Sequence, residues 1–297
     1  MMDDFGGDDG AEGIPTFRFQ ESSHFNKFKI TVQRLNITDL DQTCDKFNDC
    51  IVLYNVFTKD ECQQLIDQGD SYGFHSLDSE YSAKYRNNKR IFILNPSFSE
   101  VMWKRVNEYI EDTLDVTIDH PTLHTTKHIV GQWQKFGLNE RLRLCKYDPT
   151  NFFKPHFDDG YNPEPNKTRT MKTCMVYLNE EFEGGETIFY ANGKKFALKP
   201  KTGMCLIFNQ KIFHEGATVT KGLKYFVRTD VYYQRLDEHP MSLDDKEKKA
   251  LELYTEANRL WTIGDQSQNV LDQAMKCLKN ATRLCPDIEE LYYSMQN

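Results

Sequence analysis

From Leu142 onward the chain alternates short runs of β-branched and aromatic residues with clusters of turn formers. The runs are LRLCKY, TCMVYLN, ETIFYA, MCLIFN and KYFVRTDVYY, and the separators are DPT, NPEPN, EGG, ANGKK and KPKTG. Strands at such near-regular spacing predict an antiparallel sandwich or barrel in place of a parallel α/β sheet. Asn192-Gly193 is the strongest hairpin signal in the chain. Gly184 and Gly185 read as a tight entry into the following strand.

The flanking regions have a different rhythm. CIVLYNVF (Cys50–Phe57) reads as a strand. In TKDECQQLIDQG, Thr58 and Glu61 form a capping box, Cys62, Leu65 and Ile66 form an apolar stripe, and Gly69 is the expected stop. SFSEVMWKRVNEYIEDTL predicts a second helix capped by Ser97 or Ser99, with Val101, Met102, Val106, Tyr109 and Ile110 on one face. Between them, YSAKYRNNKRIFIL predicts a loop leading into a short strand. After Glu238–Pro240, LDDKEKKALELYTEANRLW and VLDQAMKCLKNATRLC have helical periodicity, and Pro286 ends the second. The pair predicts a helical hairpin similar to one tetratricopeptide unit. A single unit cannot bury its own face, so the hairpin should dock on the main domain or on a protein partner. The expected organisation is a disordered acidic tail over 1–15, a main domain over 16–236 and the hairpin over 240–297.

Composition narrows the function classes. The 297 residues include 20 Phe and 15 Tyr, which suits a packed domain. With 37 basic and 45 acidic residues the formal charge is −8, which argues against a protein held on nucleic acid by bulk charge. No apolar run is long enough to span a bilayer, and the acidic N-terminus does not read as a secretory signal. The expectation is a cytosolic or nuclear protein with no membrane association. The eight cysteines are then expected as free thiols, and with no CxxC pair structural zinc has little support. Cys145, Cys174 and Cys205 lie in apolar runs, where a thiol packs as a small hydrophobe. Trp103 and Trp133 are expected in the core or at its rim.

The candidate chemistry centres on KPHFDDG (Lys154–Gly160). Strand alternation would put His156 and Asp158 on one face and Phe157 on the other. An H-x-D pair alone is weak evidence, and a third ligand is needed. His214, in IFNQKIFHEGATV, follows another apolar strand and supplies it. Two imidazoles and one carboxylate leave three positions of an octahedral ion open, which suits non-heme Fe(II) oxygenases. Tetrahedral zinc would leave one, and a hydrolase would want a general base, for which Glu186 and Asp159 stand near without a spacing that demands either. Further on, Lys224, Phe226 and Arg228 alternate along one strand face. A cation inside an apolar barrel needs an anion, which a dicarboxylate co-substrate would supply by chelating the metal at one end and pairing at the other. Lys167, Arg169 and Lys172 read as a solvated polar loop beside the metal strand. His120, His124 and His128 recur every four residues, but Pro121 spoils a helix there and a chance loop cluster is favoured.

The segment Tyr147–Tyr233 resembles the Fe(II)/2-oxoglutarate-dependent dioxygenases, and most closely the prolyl 4-hydroxylase branch. YDPTNFFKPHFD, YLNEEFEGGETIF, KPKTGMCLIFN and HEGATVTKGLKY carry the likeness. A weaker likeness extends upstream through CIVLYNVFTKDECQQLI to Cys50. The resemblance implies an α+β architecture with a double-stranded β-helix, or jelly roll, whose catalytic core spans 139–236. It implies His156, Asp158 and His214 as iron ligands and Lys224 as partner of the distal 2-oxoglutarate carboxylate. Tyr177 would hydrogen-bond that carboxylate, Tyr147 and Thr173 would line the cavity, and Arg228 is the second choice of anchor. Implied with them are O2 as co-substrate, L-ascorbate as reductant, and succinate and CO2 as products.

The same resemblance points to a prolyl residue of a cytosolic or nuclear protein or peptide as substrate. Two rival classes stand beside it: an oxygenase acting on a small molecule or nucleobase, and a non-catalytic jelly roll that binds peptides. All three ligands and Lys224 occurring together speak for a working site.

Overall fold

The computed structural model describes residues 14–23, 29–35, 50–117, 129–161, 167–191, 193–236, 243–262 and 268–288. The first thirteen residues of the expected acidic tail, and His120, His124 and His128, lie outside these. At the end of that tail Pro15 is engaged: its carbonyl accepts from the Leu94 amide at 3.1 Å.

The described chain carries fifteen strands and four helices. They are β1 (Thr31–Leu35), β2 (Cys50–Tyr54), α1 (Lys59–Tyr72), β3 (Lys89–Leu94), α2 (Pro96–Val106), β4 (Thr113–Val116), β5 (Gly131–Leu138), β6 (Arg141–Tyr147), β7 (Phe153–His156) and β8 (Thr168–Tyr177). There follow β9 (Phe182–Gly184), β10 (Thr187–Ala191), β11 (Lys194–Leu198), β12 (Cys205–Asn209), β13 (His214–Gly216), β14 (Val219–Gly222), β15 (Lys224–Arg235), α3 (Asp245–Thr262) and α4 (Gln268–Leu284).

A large sheet runs β1-β2-β12-β8-β15-β5-β4 and forks at β15. The first half of β15 pairs with β6, which carries β3, and its second half pairs with β5. A small sheet runs β11-β10-β13-β7, and β9 pairs with β14. All these pairings are antiparallel, as the alternating runs predicted, and the two main sheets make the jelly roll that the resemblance implied. Strand alternation sorts the side chains of β8. Cys174 and Val176 join an apolar cluster with Leu65, Ile66 and Met102 of α1 and α2, while Met175 and Tyr177 join a second one with Phe189 of the small sheet.

The capping box of α1 is present. The Thr58 hydroxyl accepts from the Glu61 amide at 3.2 Å, and Glu61 accepts from the Thr58 amide at 2.8 Å. The helix does not stop at Gly69 but runs on to Tyr72, with Gly73 at its end. Gly69 instead makes room for β6, since a Cβ there would stand 2.6 Å from Leu144 Cδ2. The cap of α2 is Asn95, not Ser97 or Ser99: its side chain accepts from the Phe98 amide at 3.0 Å, and Pro96 opens the helix. This helix is shorter than its periodicity suggested. It ends at Val106, and Thr113–Val116 pair with β5 as a strand, placing Leu114 opposite the buried Trp133. Lys172 and Arg169 are also not a solvated loop. Both lie buried in β8, where Lys172 donates to Asn209 at 2.8 Å and Arg169 lies 6.0 Å from the Trp133 ring. A central strand covered on both faces buries even its charged positions, and these must then find partners. Helices α3 and α4 form the expected hairpin around their own apolar cluster, which includes Ala250, Tyr254, Leu278 and Ala281.

One buried ion pair ties the helices to the N-terminal segment. Arg105 of α2 donates to both oxygens of Glu61 in α1, at 2.8 and 2.9 Å, to Glu21 at 2.9 Å and to the Val56 carbonyl at 2.9 Å. Removing one partner strands a fully buried charge. Arg105→Met is therefore expected to lose about 3 kcal/mol or more of unfolding free energy, measured by urea denaturation, with part of the loss recovered in the Arg105→Met, Glu61→Leu double variant.

Candidate active site

The site forms where β7 and β13 pair. His214 lies directly opposite His156 in that register, so the two imidazoles stand side by side with centroids 4.3 Å apart. Asp158 follows β7, and its amide donates to the Gln210 carbonyl at 2.9 Å, which turns the carboxylate back toward the rings. Its oxygens lie 3.6 Å from His156 Nε2 and 3.7 Å from His214 Nε2. One ligand atom from each residue lies within 4.8 Å of the others, and all three residues are buried. Phe157, between them, faces outward, as alternation predicted.

Each of the three side chains is held by a second contact. His156 Nδ1 sits 2.7 Å from the Lys154 carbonyl, and His214 Nδ1 sits 2.9 Å from that of Ile212. A carbonyl only accepts, so each Nδ1 carries the proton and each Nε2 keeps its lone pair toward the centre. Phe153 stacks on His156 at 3.5 Å, and Phe208 meets His214 edge-on at 4.8 Å. Thr173 Oγ1 donates to Asp158 Oδ2 at 2.6 Å, and Arg228 approaches Oδ1 at 3.3 Å. Burial alone would raise the Asp158 carboxyl. The Arg228 guanidinium and the two imidazoles override it and hold the group well below the usual carboxylate range. Burial pushes the His214 ring down to about 4 against the pull of Asp158. The neutral His214 ring and the ionised Asp158 carboxylate that these shifts favour are the forms in which such residues ligate a metal.

An open cavity of about 490 Å³ extends from this centre to Lys224. The Lys224 ammonium is buried, donates to the Gly185 carbonyl at 2.8 Å, and lies 5.1 to 5.6 Å from the rings of Tyr147, Phe226 and Tyr177. Gly185 has φ +69° and presents that carbonyl from the bend entering β10. Burial pulls the Lys224 amine down to about 8. Among the described residues no carboxylate lies within ion-pair distance of it. The donor set at one end of the cavity thus fits Fe(II), and the anion-lacking ammonium at the other fits the distal carboxylate of 2-oxoglutarate.

The structure brings most of the expected residues here and gives some of them other places. Tyr147 lines the cavity, and its hydroxyl has no protein partner among the described residues. Tyr177 stands behind the wall, its hydroxyl 2.6 Å from Thr187 Oγ1, and Thr187 is the residue that lines the cavity. Thr173 is on Asp158 and not on the cavity surface. Arg228 borders the cavity but is held by Asp158 and Asp230, which distinguishes it from Lys224. Neither Asp159 nor Glu186 is among the lining residues. Arg86, Arg143 and Phe153 also line the cavity, and the sequence reading did not reach them.

The sequence that carries this geometry is similar to that of known proteins. Residues 142–230 match the sequence profile of the 2OG-Fe(II) oxygenase superfamily. A protein of Acanthamoeba polyphaga mimivirus that bears a prolyl 4-hydroxylase name is 25% identical over 199 residues, covering 61% of this chain and 73% of that one. Prolyl 4-hydroxylase 1 of Arabidopsis thaliana is 28% identical over 109 residues, covering 29% of this chain and 38% of that one. The crystal structure of a viral collagen prolyl hydroxylase from Paramecium Bursaria Chlorella virus-1, in complex with 2OG, is 22% identical and covers 64% of this chain and 98% of its own, with a TM-score of 0.40. Residues 142–230 are a 2OG-Fe(II) oxygenase domain. In sequence it is prolyl 4-hydroxylase-like.

His214 gives this centre a pH signature. In the unfolded chain its ring takes a proton near the ordinary 6.5, whereas the folded chain refuses it down to about 4. Below 6.5 the unfolded state therefore binds more protons, and the metal-free protein loses stability as pH falls from 6.5 toward 4. Thermal unfolding of the chelated protein across that window should show a steeper loss for wild type than for His214→Gln, with the His214 ring resonances in NMR unchanged at pH 5.5.

Proposed function

We propose that the protein is a 2-oxoglutarate-dependent hydroxylase acting on a prolyl residue of a cytosolic or nuclear protein, with release of succinate and CO2. The observation that carries the reading is one cavity with a buried His-Asp-His cluster at one end and a buried ammonium, without a carboxylate partner among the described residues, at the other. The prolyl 4-hydroxylase-like sequence favours the prolyl substrate. The described cysteines form no disulfide with one another, which fits a reducing compartment. L-Ascorbate is the reductant proposed to restore Fe(II) after unproductive turnovers. Among the described residues no helix is long and apolar enough to cross a membrane.

Bound in the cavity, Fe(II) and 2-oxoglutarate would supply the oxidising chemistry, placing one oxygen atom of O2 in the substrate C–H bond and the other in succinate. The chain's contribution is placement. His156, Asp158 and His214 would hold the ion through the Nε2 atoms and one carboxylate. Phe153 and Phe208 restrict rotation of the imidazoles, and Thr173 fixes the carboxylate plane. Lys224 would receive the distal carboxylate of the co-substrate, with Tyr147 and Thr187 offering hydroxyls inside the same cavity. The rings of Tyr147, Tyr177 and Phe226 keep water from the ammonium, which strengthens its pairing with an anion.

Succinate formed from 2-oxoglutarate should depend on added Fe(II), on a prolyl peptide and on Asp158. Asp158→Ala is expected to abolish it, and full activity in that variant would remove the metal site from the mechanism. The two cations should separate in kinetics. Lys224→Ala should raise the KM for 2-oxoglutarate roughly 30-fold or more, the cost of stripping one partner from a buried charge pair. Arg228→Ala should change that KM far less, and the reverse order would exchange the roles of Lys224 and Arg228.

A further inference from the structure

Four cationic side chains border the cavity: Lys224, Arg86, Arg143 and Arg228. Three have an anion, in hand or assigned. Arg228 pairs with Asp158 at 3.3 Å and Asp230 at 3.2 Å, Arg143 pairs with Asp230 at 3.0 Å, and Lys224 is matched to the co-substrate. Arg86 has none. Its Nε donates to Asn88 Oδ1 at 2.7 Å, and its guanidinium lies 4.3 Å from the Phe153 ring and 5.2 Å from that of Tyr81. The residue is only 7% exposed, and among the described residues no carboxylate reaches ion-pair distance of it. The four N–H groups beyond Nε have no protein acceptor among those residues either.

The charges around the site lead to the same group. Against the four cations stand Asp158 and Glu215 in the lining and, behind it, Asp230, Asp159 and Glu186. A ferrous ion and a doubly charged 2-oxoglutarate cancel each other. Among the four, Arg86 is the cation with neither a carboxylate partner among the described residues nor an assigned anion. A buried guanidinium left in that state is unfavourable unless a ligand completes it. Its position suits a ligand at the metal. Phe153 stacks on His156, so Arg86 is one aromatic ring removed from a ligand imidazole. The backbone fixes it there, because Arg86 bridges to Phe153 and the Tyr85 carbonyl accepts from the Lys154 amide at 2.9 Å.

We propose that Arg86 is a specificity-determining residue that seats a carboxylate of the primary substrate, so that the hydroxylated residue carries or adjoins an acidic group. This rests on the dioxygenase reading of the site. A guanidinium whose Nη1/Nη2 edge is free takes a carboxylate through paired N–H donors, which a neutral amide of the same shape cannot match. The carboxylate can come from an Asp or Glu side chain close to the hydroxylated residue, or from the α-carboxylate of a C-terminal residue.

The test uses the full chain, immobilised and loaded with Mn(II) and 2-oxoglutarate, and reads binding apart from turnover. Two peptide pools are partitioned over wild type, Arg86→Gln and Arg86→Lys. One has a central proline, randomised flanks and blocked ends, and the other ends in a free C-terminal proline. Wild type should retain Glu over Gln beside the proline, or the free over the amidated terminus, by roughly 30-fold or more. The pool that shows the preference names the source of the carboxylate. Arg86→Lys should keep a weaker preference, and Arg86→Gln should lose it. A wild-type ratio near one in both pools, or the same ratio in Arg86→Gln, overturns the proposal, as does retention of no peptide by wild type. Succinate release with the same pools separates the two readings. Turnover without acidic preference sinks the role of Arg86 and leaves the dioxygenase standing. Acidic preference without turnover on Fe(II) sinks the dioxygenase reading and leaves a carboxylate-binding site.

Discussion

The antiparallel pairing of β7 with β13 is the constraint on which the site depends. Because His214 lies opposite His156, two residues far apart in the chain present their rings from adjacent strands of one sheet face. Side chains on a strand alternate, so a slip of one residue in this register would turn one imidazole to solvent and end the cluster. Two features guard against that slip. On its other edge β13 pairs with β10, which sets Phe189 opposite His214 and buries it against Phe208. Past His214 the β7–β13 register shifts before Gly216 meets Phe153, so the regular pairing is confined to the ligand end.

The large sheet supplies what the small sheet lacks. Lys224 and Arg228 lie four residues apart on one face of β15, yet their surroundings make them different groups. Arg228 faces carboxylates and stays charged at the expense of its freedom, since Asp158 and Asp230 outweigh the cost of its burial. Lys224 faces three rings and one carbonyl, which soften burial without supplying an anion. The first arrangement is complete within the protein and the second is completed by a ligand. A strand that carries both can orient the Asp158 carboxylate of the proposed metal centre and anchor a dicarboxylate without the two competing.

Much of this was legible in the chain, and the limits have physical reasons. The long, β-branched strands β6, β8, β10, β12 and β15 declared themselves by composition, as did the capping box of α1 and the C-terminal helices. Strands of three or four residues such as β4, β9 and β13 carry too little pattern, because their pairing comes from partners distant in sequence. β4 was read as the end of a helix because its residues continue that period until β5 captures them. His156, Asp158 and His214 could be found because the chemistry demands those residue types, and the resemblance supplied Lys224. Thr173 and Tyr177 were placed in the right neighbourhood, with contacts that only packing could show. Arg86 sits in a polar stretch, YRNNKR, where a buried guanidinium has no sequence signature. Its burial comes from Tyr81 and Phe153, the second of them more than sixty positions away.

The net charge of −8 is that of the whole chain, whereas the cavity walls are rich in cations. These are separate statements about one molecule, and the local field decides what enters. A cavity walled by low-dielectric rings focuses that field, so anions are drawn in at both ends: the co-substrate toward Lys224 and an acidic group toward Arg86. A nucleic acid would meet the opposing net charge of the chain first. A substrate with a single carboxylate near its reacting C–H bond meets a much smaller barrier and gains a partner that nothing in the described protein supplies. The same electrostatic pattern thus favours 2-oxoglutarate as co-substrate and an acidic neighbour for the hydroxylated residue, because both would complete buried charges that the fold leaves open.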